Sequence, residues 1–111
     1  MSKSNEYNLR FYKTNVNGKI YNICSHHGTV DSKSNLIFLT HLDYDDTMSF
    51  LNDLQLSVNS ESNADEGFDS SSIEHISIKY EYPNVNIDDI LILPMIDFIE
   101  LLTEWKNFIN S

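Results

Sequence analysis

Cations are scarce in this chain. Seven Lys and Arg stand against seventeen Asp and Glu in 111 residues, a formal net charge of −10. Binding to nucleic acid depends on cations that displace phosphate counterions, and anionic membrane surfaces attract basic segments, so this balance argues against both partners. Cysteine is reduced to Cys24, which rules out an intramolecular disulfide and a disulfide-stabilised secreted scaffold. Glycine is equally sparse. Gly18, Gly28 and Gly67 lie too far apart to cradle a phosphate, and no Gly-x-Ser-x-Gly elbow occurs. No apolar run reaches the roughly eighteen residues of a membrane span, and residues 1–7 contain no apolar signal core, which together predict a cytoplasmic protein.

What the chain does contain is material for a core. Apolar residues make up 41%, with six Tyr, six Phe and one Trp. A single domain over 1–111 is expected, burying roughly 65% of its unfolded surface. The clearest stretch is the last quarter. A short apolar strand over 90–93 leads to Pro94, which suits a first helical turn because its missing N–H would be an orphan donor. Met95, Phe98, Leu102, Trp105 and Ile109 then recur at helical spacing on one face, with Trp105 expected in the core. Asp97, Glu100, Glu104 and Asn107 line the other face, predicting an acidic back turned to solvent. Leu101 and Phe108 fall at the margin of the apolar stripe.

Upstream, Asn17-Gly18 is a two-residue hairpin signal between strands over 6–16 and 19–26. Tyr7, Leu9 and Phe11 alternate with polar neighbours; across the turn, Ile20, Asn22 and Cys24 face one way and Tyr21, Ile23 and Ser25 the other, and either set can be the inner one, with Tyr21 and Ile23 favoured. The apolar run 36–39 is read as a third strand. Asp46 or Thr47 serves as N-cap for a short helix over 47–56, with Met48, Leu51 and Leu54 at spacing three beside Phe50. Residues 57–72 are polar and acidic, and are expected to form a mobile loop because so little apolar area cannot offset the ordering of its backbone. Ile76, Ile78, Tyr80 and Tyr82 alternate cleanly as a fourth strand. The resulting expectation is an α+β fold: one antiparallel sheet of about five strands, the C-terminal helix on one face, and a further short helix.

Candidate chemistry is thin. Cys24-Ser25-His26-His27 lacks the four ligands of a structural zinc site, since His41 and His75 stand alone. On a strand Cys24 and His26 share a face, so a thiol–imidazole pair is conceivable, although a lone strand cysteine is more commonly a small core residue. Asp43, Asp45 and Asp46 resemble the opening of a calcium loop, but its glycine and glutamate positions hold Met48 and Leu54. No catalytic, metal-binding or cofactor-binding residue is therefore expected, and the chain is not read as an enzyme. The acid falls in two places: Asp43, Asp45 and Asp46 before the short helix, and Glu61, Asp65, Glu66 and Asp69 along the polar loop with Phe68 as an apolar anchor. These eight residues are the candidate partner-binding set.

The ending over 90–108, ILILPMIDFIELLTEWKNF, resembles the strand–proline–helix endings of small acidic bacterial immunity proteins from contact-dependent inhibition and related polymorphic toxin systems. That resemblance implies a cytoplasmic protein that binds one cognate protein toxin and blocks it. The acidity agrees with a basic nuclease domain as the toxin, because an acidic surface can occupy a substrate groove in place of phosphate. Two other classes remain open: a small enzyme or ligand-binding domain using Cys24 and His26, and a non-catalytic adaptor subunit whose acidity serves solubility.

Overall fold

The computed structural model describes residues 3–28, 32–62 and 78–110. One helical turn, α1 (Lys3–Glu6), leads into the hairpin of β1 (Leu9–Val16) and β2 (Lys19–His26). Asn17 and Gly18 have φ of 55° and 83°. Positive φ at both central residues is what a tight hairpin turn matched to strand twist requires. A 3₁₀ helix (Ser32–His41) and α2 (Tyr44–Ser60) follow, and then an antiparallel meander of β3 (Ile78–Glu81), β4 (Asn84–Ile87) and β5 (Leu91–Pro94). The chain closes with α3 (Met95–Ile109). The architecture is α+β with two antiparallel sheets, one of two strands and one of three.

The expected single five-stranded sheet is thus corrected to two sheets, and two segments differ from the reading. Residues 36–39 are not a strand but part of the 3₁₀ helix, where Leu36, Leu39 and Leu42 recur every third residue and align on one buried side. The Leu42 N–H donates to the Leu39 carbonyl at 3.0 Å, continuing that period. The strand the sequence reading passed over is β4, whose Val85 and Ile87 are both buried. Residue 76 of the expected fourth strand lies outside the described residues.

The helix α2 is longer than expected at both ends. Asp43, not Asp46 or Thr47, is its N-cap: the Asp46 N–H donates to Asp43 Oδ1 at 2.8 Å, and Asp46 Oδ2 accepts from the Asp43 N–H at 3.5 Å. This reciprocal box satisfies two backbone donors that a helix start leaves orphaned. At the other end, residues 57–60 are helical rather than loop, because Ser57 and Val58 continue the apolar face set by Thr47, Phe50, Leu51 and Leu54. The Glu61 N–H reaches the Val58 carbonyl at 3.3 Å and the Ser62 N–H the Ser57 carbonyl at 3.1 Å. These are the two bonds of a Schellman stop, with Glu61 at φ 54° where glycine is usual. Residues 63–72 of the expected acidic loop lie outside the described residues.

The core gathers on α3. Phe98 packs against the rings of Phe38 and Phe50, each at 6.3 Å between centroids. Trp105 meets Phe11 edge-on at 5.1 Å and stacks on Phe108 at 5.7 Å. Its indole N–H donates to the Leu42 carbonyl at 3.0 Å. Leu101, expected at the margin, is fully buried. The acidic back of α3 is not wholly left to solvent. Glu104 accepts from the backbone N–H groups of Lys3 and Ser4 at 2.7 and 3.2 Å, and from Ser4 Oγ at 2.7 Å. Asp97 accepts from the Tyr7 hydroxyl at 2.7 Å, and burial together with that carboxylate pushes the phenol pKa upward. The carboxylates of α3 therefore hold the N-terminal turn in place.

Two stability outcomes follow. Trp105→Ala leaves a large void and an unpaired Leu42 carbonyl, and is expected to destabilise by about 3–5 kcal/mol in a denaturant titration. Glu61→Gly relieves a left-handed backbone and removes an anion from the negative end of α2. It is expected to raise the unfolding free energy by about 1 kcal/mol in the same measurement.

Candidate functional site

Where β2 and the link to α2 part company, the molecule opens a cleft of about 550 Å³. One wall is residues 20–23 of β2, the other is residues 40–44, and Ile109 and the buried Trp105 lie beneath. The divergence has a local cause. Cys24 donates its backbone N–H to Thr40 Oγ1 at 2.8 Å, and the same hydroxyl donates to the Cys24 carbonyl at 3.2 Å. One side chain thereby closes the edge of β2 at Cys24. Toward the hairpin tip no such partner follows among the described residues, and the walls separate. Ile20, Tyr21 and Tyr44 keep 60%, 42% and 45% of their surface exposed there. Large tyrosines and an isoleucine held open on rigid elements are the residue types that anchor protein interfaces.

Asp43 lines this cleft, and Asp45 and Asp46 follow it at the exposed start of α2. Of the predicted acidic set, Asp43 is thus the described member that lines the apolar opening. Two of its members also have structural work, as the capping box requires. Glu61 lies at the far end of the 17-residue helix, about 25 Å away at 1.5 Å per residue. It does not share a small site with Asp43. Asp65, Glu66, Phe68 and Asp69 lie outside the described residues. What the sequence reading missed is the apolar half of the site. Tyr44 follows directly on the acidic cap, and Ile20 and Tyr21 follow the hairpin turn, so the pairing of apolar with acidic residues becomes visible only once residues 40–44 are seen to run past β2.

The Cys24 face also needs correcting. Strand pairing sets Leu9 opposite His26 and Phe11 opposite Cys24, and Leu9 and Cys24 are buried while Tyr21 is exposed. The inward set is therefore that of Cys24, not of Tyr21 and Ile23. Phe11 decides the matter, because its cross-strand partner must share its face and Phe11 packs on Trp105. The Cys24 thiol points at the Leu36 carbonyl, 3.7 Å away, and burial pushes its pKa up from 9.0 to about 12. Such a thiol holds little thiolate at neutral pH and is a poor nucleophile. Among the described residues, Cys24, His26 and His27 line neither this cleft nor two smaller ones at Lys3 and Glu100 and at Tyr82 and Pro94. Among the described residues no three His, Cys, Asp or Glu side chains converge as metal ligands, and no helix is long and apolar enough to cross a membrane.

The buried thiol makes a pH-dependent prediction. Its folded-state pKa lies above the unfolded value, so its contribution to stability is complete below about pH 9 and lost as pH climbs toward 12. Unfolding free energy should therefore fall more steeply over that range in the native sequence than in Cys24→Ser. At pH 8 a thiol-labelling reagent should modify Cys24 only after denaturant is added.

The chain matches no protein-family model, no curated protein and no solved structure in these comparisons, so its geometry alone carries the functional reading.

Proposed function

We propose that the protein is a non-catalytic binding protein that neutralises a cognate toxin domain, the toxin being a basic nuclease. The observation that carries this reading is the presence, along one cleft, of exposed Ile20, Tyr21 and Tyr44 with the Asp43 carboxylate, Asp45 and Asp46 following it at the exposed start of α2. Aromatic anchors supply affinity through burial, and a one-signed rim sets the encounter rate and the partner's charge. A nuclease groove shaped for phosphate is positive, and Asp43 in the cleft wall, with Asp45 and Asp46 next after it in the chain, presents the complementary sign. The overall charge of −10 extends the same attraction to longer range. The raised pKa of the Cys24 thiol weighs against the rival reading as a small enzyme, since the one candidate nucleophile is shielded and protonated.

Charge and fold can be separated cleanly here. Asparagine caps helices about as well as aspartate, so Asp43→Asn with Asp45→Asn and Asp46→Asn removes three charges while preserving α2. Against a nuclease toxin domain encoded immediately upstream of this chain's gene, the partner this reading requires, surface binding at two salt concentrations should show this triple variant associating about tenfold more slowly and with flatter salt dependence. Tyr44→Ala should instead raise the dissociation rate, at the scale of an interface hot spot of about 2 kcal/mol. Association that is insensitive to salt and equal in all variants would overturn the charge-complementarity reading.

A further inference from the structure

We infer that the cleft is a strand-addition slot: the edge of β2 at residues 20–22 takes an extended, basic segment of a protein partner as a third strand of the hairpin sheet. This deepens the binding reading above and rests on it for the partner's charge. The argument starts from pairing parity. In an antiparallel pair, residues alternate between those bonding to the partner strand and those whose N–H and C=O both point away. Two contacts fix that alternation in this hairpin. The His27 N–H donates to the Asn8 carbonyl at 2.9 Å, and Cys24 turns both its backbone groups outward to Thr40 Oγ1. With the observed register, Asn22 and Ile20 therefore also point outward, away from Lys13 and Asn15 opposite them. They present two N–H and two C=O groups along the wall of the cleft, with no backbone partner among the described residues.

An unpaired strand edge is ordinarily covered or blunted by charge, proline or a bulge. Here the Thr40 hydroxyl covers Cys24 and, among the described residues, the cover then stops, leaving a gap of about 550 Å³ beside the next two outward residues. Backbone bonds to Ile20 and Asn22 would hold an added strand, and its alternate side chains would rest on Ile20 and Tyr44. The occupant's sign follows from the opposite wall, where Asp43 lines the slot and Asp45 and Asp46 follow it in the chain, three carboxylates against Lys13, bonded to Asn22, and Lys19 on the hairpin side. A second copy of this chain is the disfavoured occupant on net charge, because its hairpin brings Lys13 and Lys19 but its whole chain carries −10 against another −10.

Amide hydrogen exchange on the full chain tests this residue by residue. The probe is a capped peptide of about six residues, a usual strand length, alternating lysine and valine, with a glutamate–valine peptide as control. The basic peptide is expected to slow exchange at Ile20 and Asn22 about tenfold or more, leaving Tyr21 and Ile23, already bonded to β1, unchanged. Asn22→Pro removes an outward donor at an edge position that tolerates proline and should abolish that protection, whereas Asn22→Ala should retain it. No protection at Ile20 and Asn22, or equal protection by the acidic peptide, overturns the slot. Protection that appears without peptide as protein concentration rises overturns the choice of occupant in favour of a second copy. If the upstream-encoded protein fails to bind while the peptide result stands, the toxin reading falls alone. If that protein binds through the carboxylates without protecting these amides, the slot falls alone.

Discussion

The bond from the Trp105 indole to the Leu42 carbonyl ties together three parts of the chain that share no sheet. Trp105 comes from α3, Leu42 from the link between the 3₁₀ helix and α2, and the ring's edge contact, Phe11, from the hairpin. A buried carbonyl without a donor would cost about 1–3 kcal/mol, so residues 40–44 are held where that indole reaches them. Because they are held there, Thr40 lies against Cys24 and Asp43 faces the tip of β2. The cleft is thus a consequence of core packing and not a feature of a loose surface.

Acidity in this protein has two jobs that net charge alone does not separate. Glu104 and Asp97 anchor the N-terminal turn, Lys3 spans Glu6, Asp97 and Glu100 at 2.7, 3.2 and 3.4 Å, and Asp43 and Asp46 close a capping box. These carboxylates are accounted for by folding. The distribution is uneven as well. The hairpin strands hold Arg10, Lys13 and Lys19 and no carboxylate, and each cation lies near an aromatic ring, at 5.7, 4.7 and 5.4 Å. The acid therefore belongs to the body of the molecule, and the cleft marks the border between that body and the hairpin.

The parts of the fold legible in the sequence were those whose signal is local. Asn17-Gly18 demands positive φ wherever it falls, and the spacing of Met95, Phe98, Leu102 and Trp105 specifies a helix face without reference to anything else. Residues 36–39 misled because four consecutive apolar residues carry no period; Leu42, three beyond Leu39, was the clue to a threefold repeat. The inner face of β2 could not be chosen locally, since Ile20 and Tyr21 are both apolar and both exposed. Only the cross-strand partner Phe11, docked on Trp105, decides it. The same holds for the candidate site: its acid was readable as a cluster, whereas its apolar wall depends on which element passes which.

A surface acidified only for solubility gives no reason for apolar exposure to gather at the acid. Scattered exposed apolar residues are ordinary, and Ile90, Ile92 and Ile96 around β5 are such residues. At the cleft three unrelated features coincide: Ile20, Tyr21 and Tyr44 left exposed, the backbone groups of Ile20 and Asn22 turned outward, and Asp43 on the facing wall. Each alone is unremarkable in a small domain. An apolar floor favours burial, open N–H and C=O groups favour an extended chain, and carboxylates favour a cation. One kind of occupant satisfies all three, a basic polypeptide strand, and solubility requires none of them.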